Sequence, residues 1–294
     1  MLAVCLLSLV PLYAYGIVYG SVASLESIPK REYAFTKDAI DVVIPCSPKD
    51  ISTLNLCIEG IRTYGQNVRR IIIVSDKQLT DQAEWFDEKK YPFSKYDIAL
   101  AIFNNDGKRA RQCLLKEQSH ICWLYQQLLK LYAPFVIPKI SPNVLILDSD
   151  VVFFKPVSFT NEQGGGLYNA TTGFHAAYFD HMKALLPGLI RADHHFSGIS
   201  HHMLFQRPVL EELFAMIGKH HYMDAWRALC KCIGHRYSFG AVFSEYEIYF
   251  NFVFLRTNQV AIRLLKYADV KDIASIDRFK AQGYHYVACH TYLR

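Results

Sequence analysis

The sequence predicts an α/β fold built on a mixed, mainly parallel sheet flanked by helices, and three observations predict it. Apolar runs of strand length alternate with helix-period segments from residue 40 past residue 100. Of the 294 residues 51% are hydrophobic and 20% charged, which supplies a sizeable core and excludes disorder for most of the chain. In mid-chain an apolar run, Val144-Leu145-Ile146-Leu147, stops at Asp148-Ser149-Asp150, as a buried strand does where it reaches solvent.

In chain order, residues 1–25 form a hydrophobic segment, uncharged from Leu2 to Ser24 and long enough for a membrane span or a signal peptide. Ser21-Val22-Ala23 offers a cleavage site, whereas Lys30, Arg31 and Lys37 after the segment would hold a retained anchor's domain in the cytoplasm; the two readings point to opposite sides of a membrane. Residues 26–39 read as a polar linker. Ile40 to Cys46 is a buried strand, and Ser47-Pro48-Lys49-Asp50 then opens a helix with Leu54, Ile58 and Ile61 on one face. Ile71 to Val74 is a second strand that closes on Ser75-Asp76, Asp81 to Phe86 a short helix, and Tyr96 to Phe103 a third strand. In a parallel sheet, ligands sit beyond the carboxyl ends of the strands, so Pro45 to Ser47 and Asp76 fall where a ligand would lie. Ser119 to Ala133 is helical up to Pro134, with Ile121, Leu124, Leu128 and Leu131 on one side and Trp123, Gln127 and Lys130 on another. Gly164-Gly165-Gly166 reads as a flexible loop, His175 to Leu186 as a helix, and Pro208 as the start of another. The domain thus runs over 40–294, with residues 40–155 as the half of alternating strands and helices and 156–294 as a substrate-shaping half.

Charge and cysteine usage narrow the function. Lys plus Arg exceed Asp plus Glu by 32 − 27 = 5, an excess that suits a phosphate-bearing ligand and falls short of a nucleic-acid surface; the basic run Lys108-Arg109-Ala110-Arg111 reads as a solvated loop. The eight cysteines are scattered through a chain too large to need a disulfide scaffold. Cys230 and Cys232, with His220, His221 and His235, offer zinc-type ligands, but the cysteines are one residue apart rather than two to four. Asp148 and Asp150 carry more weight. Side chains alternate along extended backbone, so both carboxylates can project to one side, and a cation is the natural partner for paired acids at a strand end. Mg²⁺ or Mn²⁺ held there would complete its shell with substrate phosphates.

Leu124-Tyr125-Gln126-Gln127-Leu128-Leu129-Lys130-Leu131, followed by Val144 to Asp150 and Val151-Val152-Phe153, resembles the central signature of GT-A fold (Rossmann-like) nucleotide-diphospho-sugar glycosyltransferases. It is most similar to a poorly characterised group distantly related to glycogenin-type enzymes. The resemblance implies a metal-dependent transfer of sugar from a nucleotide-diphosphate donor, UDP-sugar first, to a glycan, lipid or protein hydroxyl. It implies Asp148, Asp150 and His290 as metal ligands, with the aspartates and Ser149 at the donor ribose and diphosphate. Pro45, Ser47 and Asp76 would border the base. Gln127 stands where such enzymes carry an arginine, so Lys130 would supply the positive charge. Phe196-Ser197-Gly198-Ile199 is similar to the segment that floors the sugar site, with Ser197, Gly198 and His202 as sugar or acceptor contacts. Glu245 and Glu247 are the candidates to meet the acceptor hydroxyl, where a positioned base helps proton removal.

Two other classes share these features. A haloacid-dehalogenase-type phosphatase also uses Asp-x-Asp after an apolar strand; there Asp148 would be nucleophile, Asp150 general acid, and Asp269, Asp272 and Asp277 a second acidic set. A carbohydrate-binding protein with a glycosyltransferase shell and no catalysis would account for Gln127.

Overall fold

The computed structural model describes residues 28–116, 120–234 and 241–290. The hydrophobic segment 1–25, and His235 of the cysteine–histidine set, lie outside the described residues. Among those described, no helix is long and apolar enough to cross a membrane.

A five-stranded sheet carries the fold, in the order β3-β2-β1-β4-β7. Its members are β1 (Ile40–Pro45), β2 (Val68–Ser75), β3 (Glu84–Asp87), β4 (Asn143–Leu147) and β7 (His202–Gln206). All pairings are parallel except β4 with β7. Every residue of β1 and β4 is buried, as expected of central parallel strands covered on both faces. Chain order runs outward from β1 to β2 and β3 on one side and resumes at β4 on the other, so the crevice at the carboxyl ends of β1 and β4 is the topological switch point.

Below that crevice the chain makes a second sheet from β5 (Val151–Phe153), β9 (Tyr267–Val270) and β10 (Tyr286–Cys289), in the order β5-β10-β9. Asp148-Ser149-Asp150 is therefore the step between two sheets rather than an interruption of one strand. A two-stranded parallel pair, β6 (Leu167–Tyr168) with β8 (Ala261–Ile262), lies beside β7 without joining either sheet.

Helices cover the sheet: α1 (Ile51–Tyr64), α2 (Lys95–Ile102), α3 (Gly107–Leu114), α4 (Ile121–Val136), α5 (Ala176–Leu185), α6 (Arg207–His221), α7 (Ala225–Ile233), α8 (Glu245–Arg256) and α9 (Ile276–Ala281). Leu54, Ile58 and Ile61 of α1 are buried as their spacing requires, and Gly60 lets the helix approach β5: a Cβ there would sit 2.9 Å from the Phe153 backbone nitrogen.

Four local expectations are corrected. Residues 81–86 do not form a helix, because Glu84–Asp87 pairs with Ile72–Ser75 at the sheet edge, and Arg70 clasps Glu84 through both carboxylate oxygens at 2.9 and 2.8 Å. Residues 96–103 are helical rather than extended. Ser94 and Asp97 form a reciprocal capping box, and Ile98, Ala99 and Ile102 make the buried stripe. Pro134 does not stop α4; lying in the last turn and buried, it removes one backbone bond that packing compensates. The glycine triplet is tightly packed: Gly164 has φ +87°, and a Cβ on Gly165 would lie 2.0 Å from the Gln259 carbonyl oxygen.

From residue 28 the segment read as a polar linker is tied to the domain. Arg256, at the end of α8, donates to the Pro29 carbonyl at 2.9 Å and pairs with Glu212 at 2.9 Å, while Arg31 N–H donates to the Arg256 carbonyl at 2.8 Å. Tyr33 is buried and donates its hydroxyl proton to Glu212.

Candidate active site

A cleft of about 790 Å³ opens at the switch point. Asp148, Ser149 and Asp150 line it together with His201, Asp269 and His290, as do Trp123, Gln126, Gln127 and Lys130 of α4. Thr171 to Gly173 and Tyr178 line its mouth. A second groove of about 500 Å³ runs along the ends of β1 and β2 past Pro45, Ser47 and Asp76. Both are lined by Lys49, Asp50, Trp123 and Gln126, so they form one continuous, two-lobed space. That is ample room for a nucleotide-sized ligand.

Lys130 organises the inner wall. Its ammonium lies 2.6 Å from Asp148 Oδ1 and 2.8 Å from Glu245 Oε1, and 4.4 Å above the centre of the Tyr246 ring. The Tyr246 hydroxyl is 3.4 Å from Asp148 Oδ1. Burial alone would drive Lys130 toward the neutral amine, but the two carboxylates more than reverse this and hold it charged. Burial pushes the Glu245 carboxyl up despite Lys130, since one ammonium serves two acids. Gln127 is buried and donates to the Trp123 carbonyl, so Lys130 is the residue of that helix that brings charge to the acids.

The outer wall is a knot of imidazoles and carboxylates. His290 places Nδ1 3.1 Å from Asp150 Oδ2 and Nε2 3.2 Å from both His201 Nε2 and Asp269 Oδ1; His201 Nε2 is 3.3 Å from Asp269 Oδ1. Backbone bonds fix the set: Asp148 N–H donates to the His201 carbonyl, Cys289 N–H to that of Asp150, and His290 N–H to that of Val270. Burial lowers the His290 pKa, but its carboxylate neighbours raise it overall to about 9; the two histidines hold the Asp269 carboxyl well below its ordinary range. The second oxygen of Asp150, Oδ1, is buried without a hydrogen-bond partner among the described residues. An orphaned carboxylate oxygen beside two imidazoles and another carboxylate is chemistry that suits a divalent cation, so these residues fit one.

The expected site residues thus divide. Asp148, Ser149, Asp150, Gln127, Lys130, Glu245 and His290 converge on the inner cleft, and Pro45, Ser47 and Asp76 on the outer groove. Of the three expected metal ligands, only His290 joins the compact triad with His201 and Asp269; Asp150 touches its other nitrogen, and Asp148 is held by Lys130. Glu247 is not on the cleft. Its carboxylate accepts from the Ser197 hydroxyl, from Gly198 N–H at 3.0 Å and from Asn251 Nδ2 at 2.8 Å, so it ties the 197–198 segment to α8. Ser197 and Gly198 are consequently buried behind the wall that Ile199, Ser200 and His201 present. A Cβ on Gly198 would lie 2.5 Å from the Phe250 Cβ. His202 points into the core, packed edge-on against Phe153, Phe159 and Tyr286, with both ring nitrogens lacking hydrogen-bond partners among the described residues. Its neighbour His201 faces the cleft instead, because successive side chains alternate faces.

Among the described residues the zinc-type set forms no group of three or more ligand atoms. Cys230 is buried, Cys232 Sγ lies 3.7 Å from His221 Nε2, and that nitrogen meets the Leu185 carbonyl at 2.7 Å. Of the second acidic set only Asp269 reaches the cleft; Asp272 caps the turn at residues 273–275, and Asp277 lies on α9.

The profile of a family of unknown function (DUF6492) matches residues 37–281, and the chain belongs to that family. No curated protein matches the chain significantly. Among solved structures, mouse xyloside xylosyltransferase 1 in its apo form is similar at 10% identity and a TM-score of 0.42, over 87% of this chain and 99% of that one. The apo structure of WbbM, a bifunctional glycosyltransferase, is similar at 12% identity and a TM-score of 0.43, over 88% of this chain and 47% of that one.

Proposed function

We infer that this member of the DUF6492 family is a metal-dependent glycosyltransferase that takes its sugar from a nucleotide diphosphate, UDP first among candidates. One observation carries the reading. The Asp-x-Asp step lies at the switch point, facing a two-lobed cleft, with a carboxylate oxygen that no described protein group satisfies.

In this reading the outer groove, with Pro45, Ser47 and Asp76, receives the base and ribose, and the inner cleft receives the diphosphate and the sugar. Asp148, Asp150 and His290, with the neighbours of His290, make the wall that holds the cation; when bound, it neutralises charge on the diphosphate as the glycosidic bond breaks. Lys130, held in place by Glu245, balances Asp148 and presents positive charge to the same region. Burial of Lys130 and Glu245 strengthens the ion pair between them. Transfer forms a bond from the acceptor oxygen to the anomeric carbon as the bond to the diphosphate breaks, and the acceptor proton leaves to a base. Glu245 lines the cleft with its carboxyl pushed up by burial, as is that of Asp50 on the same lining, whereas Glu247 is engaged in holding the 197–198 segment.

Calorimetric titration with UDP, GDP and ADP, with Mn²⁺ and after chelation, tests this. The expected result is cation-dependent binding of one diphosphate and slow hydrolysis of its sugar conjugate, both lost in Asp148→Asn. Absence of nucleotide binding under every condition, or phosphate release from simple monoesters without a nucleotide sugar, overturns it.

A further inference from the structure

We propose that the ion-holding face consists of His201 Nε2, Asp269 Oδ1 and His290 Nε2, with Asp150 orienting His290 rather than ligating in the first instance, and that this set takes a first-row transition-metal ion in preference to Mg²⁺ or Ca²⁺. The inference rests on the glycosyltransferase reading for what the ion does, but not for how it is held.

The three ligand atoms lie 3.2, 3.2 and 3.3 Å apart. Atoms bound to one ion at roughly 2.0–2.2 Å are separated by about 3 Å, so the triad needs no rearrangement to share an ion. His290 Nδ1 faces the Asp150 carboxylate, so its other nitrogen, Nε2, is the one turned to Asp269 and His201.

The surroundings are those of a built ligand set. A carboxylate behind a metal-bound imidazole fixes its tautomer and raises its basicity, the place Asp150 occupies behind His290. His201 stands edge-on to Tyr267 at 5.3 Å and Tyr286 at 5.9 Å, two rings that stack 5.1 Å apart at 6°. Its Nδ1 lies 3.5 Å from the Tyr286 hydroxyl, which aims Nε2 at the triad. Lys130 draws Asp148 toward the other wall. Two imidazoles and one carboxylate suit Mn²⁺, Fe²⁺, Co²⁺ or Zn²⁺, whereas Mg²⁺ and Ca²⁺ seek oxygen alone.

The test uses the whole chain, stripped of metal, without nucleotide. Titration with Mn²⁺, Co²⁺, Mg²⁺ and Ca²⁺ separately is expected to give one-to-one binding of Mn²⁺ and Co²⁺, with Mg²⁺ and Ca²⁺ weaker by about 100-fold or more. Pulsed electron paramagnetic resonance of the Mn²⁺ form is expected to show two coupled imidazole nitrogens, falling to one in His201→Ala. Asp269→Asn should abolish binding, while Asp150→Asn, whose amide oxygen still accepts from Nδ1, should weaken it by about 10–100-fold. Equal affinity for Mg²⁺ and Mn²⁺, or a nitrogen count below two in the unaltered protein, overturns the proposal. Selective metal binding without nucleotide binding leaves it standing and removes the transferase reading; cation-dependent nucleotide binding with no nitrogen coupling does the reverse.

Discussion

Asp41 and Asp150 lie at opposite ends of the same parallel architecture and are satisfied in opposite ways. Asp41, near the start of β1, is fully buried; Arg69 clasps it through Nε at 2.9 Å and Nη2 at 2.6 Å, and Ser141 N–H donates to it at 2.8 Å. That carboxylate is complete within the chain. Asp150, beyond the far end of β4, has one oxygen on His290 and the other orphaned. An orphaned buried acceptor costs about 1–3 kcal/mol, a cost that persists in a fold where a ligand removes it. The two ends teach how to tell a structural acid from a functional one: by what is left unsatisfied.

The largest test of this contrast concerns Lys130, the internal cation of the open end. Lys130→Met leaves Glu245 and Asp148 facing each other without compensation, and is expected to lose about 3–5 kcal/mol in urea unfolding. Adding Glu245→Gln should recover a substantial part; failure to recover would mean that Lys130 matters for packing rather than charge.

Next comes a direct comparison of the two aspartates. Asp41→Asn should destabilise by about 1–3 kcal/mol and leave nucleotide affinity unchanged. Asp150→Asn should keep stability within about 0.5 kcal/mol or raise it, since it removes one of several close negative charges, while weakening cation binding. Equal destabilisation by both would show the open end to be structural.

The smallest effect distinguishes His201 from His202. Burial holds the His202 pKa well below its ordinary 6.5, so the folded state excludes a proton that the unfolded chain accepts. Its contribution to stability is present above pH 6.5 and is lost as pH falls, by about 1 kcal/mol per unit. His202→Phe should flatten that acid limb in thermal melts from pH 7 to 5. An unchanged slope would mean that His202 is solvated in the native state.

Much of the frame was legible from residues alone. β1, β2 and β4 announce themselves as apolar runs, and Asp148, Asp150, Lys130 and His290 do reach one cleft. The 81–86 and 96–103 segments were exchanged in type for different reasons. Glu84–Asp87 becomes a strand only because β2 offers an edge, a tertiary effect that no local pattern carries. Lys95–Ile102 did carry its signal, the Ser94-x-x-Asp97 box, which outweighs an apolar run that reads equally well as a strand. His201 and Asp269 were hidden for a topological reason. They lie 68 residues apart and meet only because β9 pairs with β10 while the 201 carbonyl binds Asp148. In the sequence Asp269 stands only within an acidic set with Asp272 and Asp277, and His201 only as the neighbour of His202, from which alternation separates it.

Helix α8 has a consequence for mounting. Glu245 begins it at the cleft, and Arg256 ends it on the strap at residues 29 and 31. Twelve residues at 1.5 Å each make a rod of about 18 Å. Residues 29 and 31 are therefore fastened at one end of that rod and the cleft carboxylate Glu245 at the other, so the strap and the cleft are coupled through a single helix.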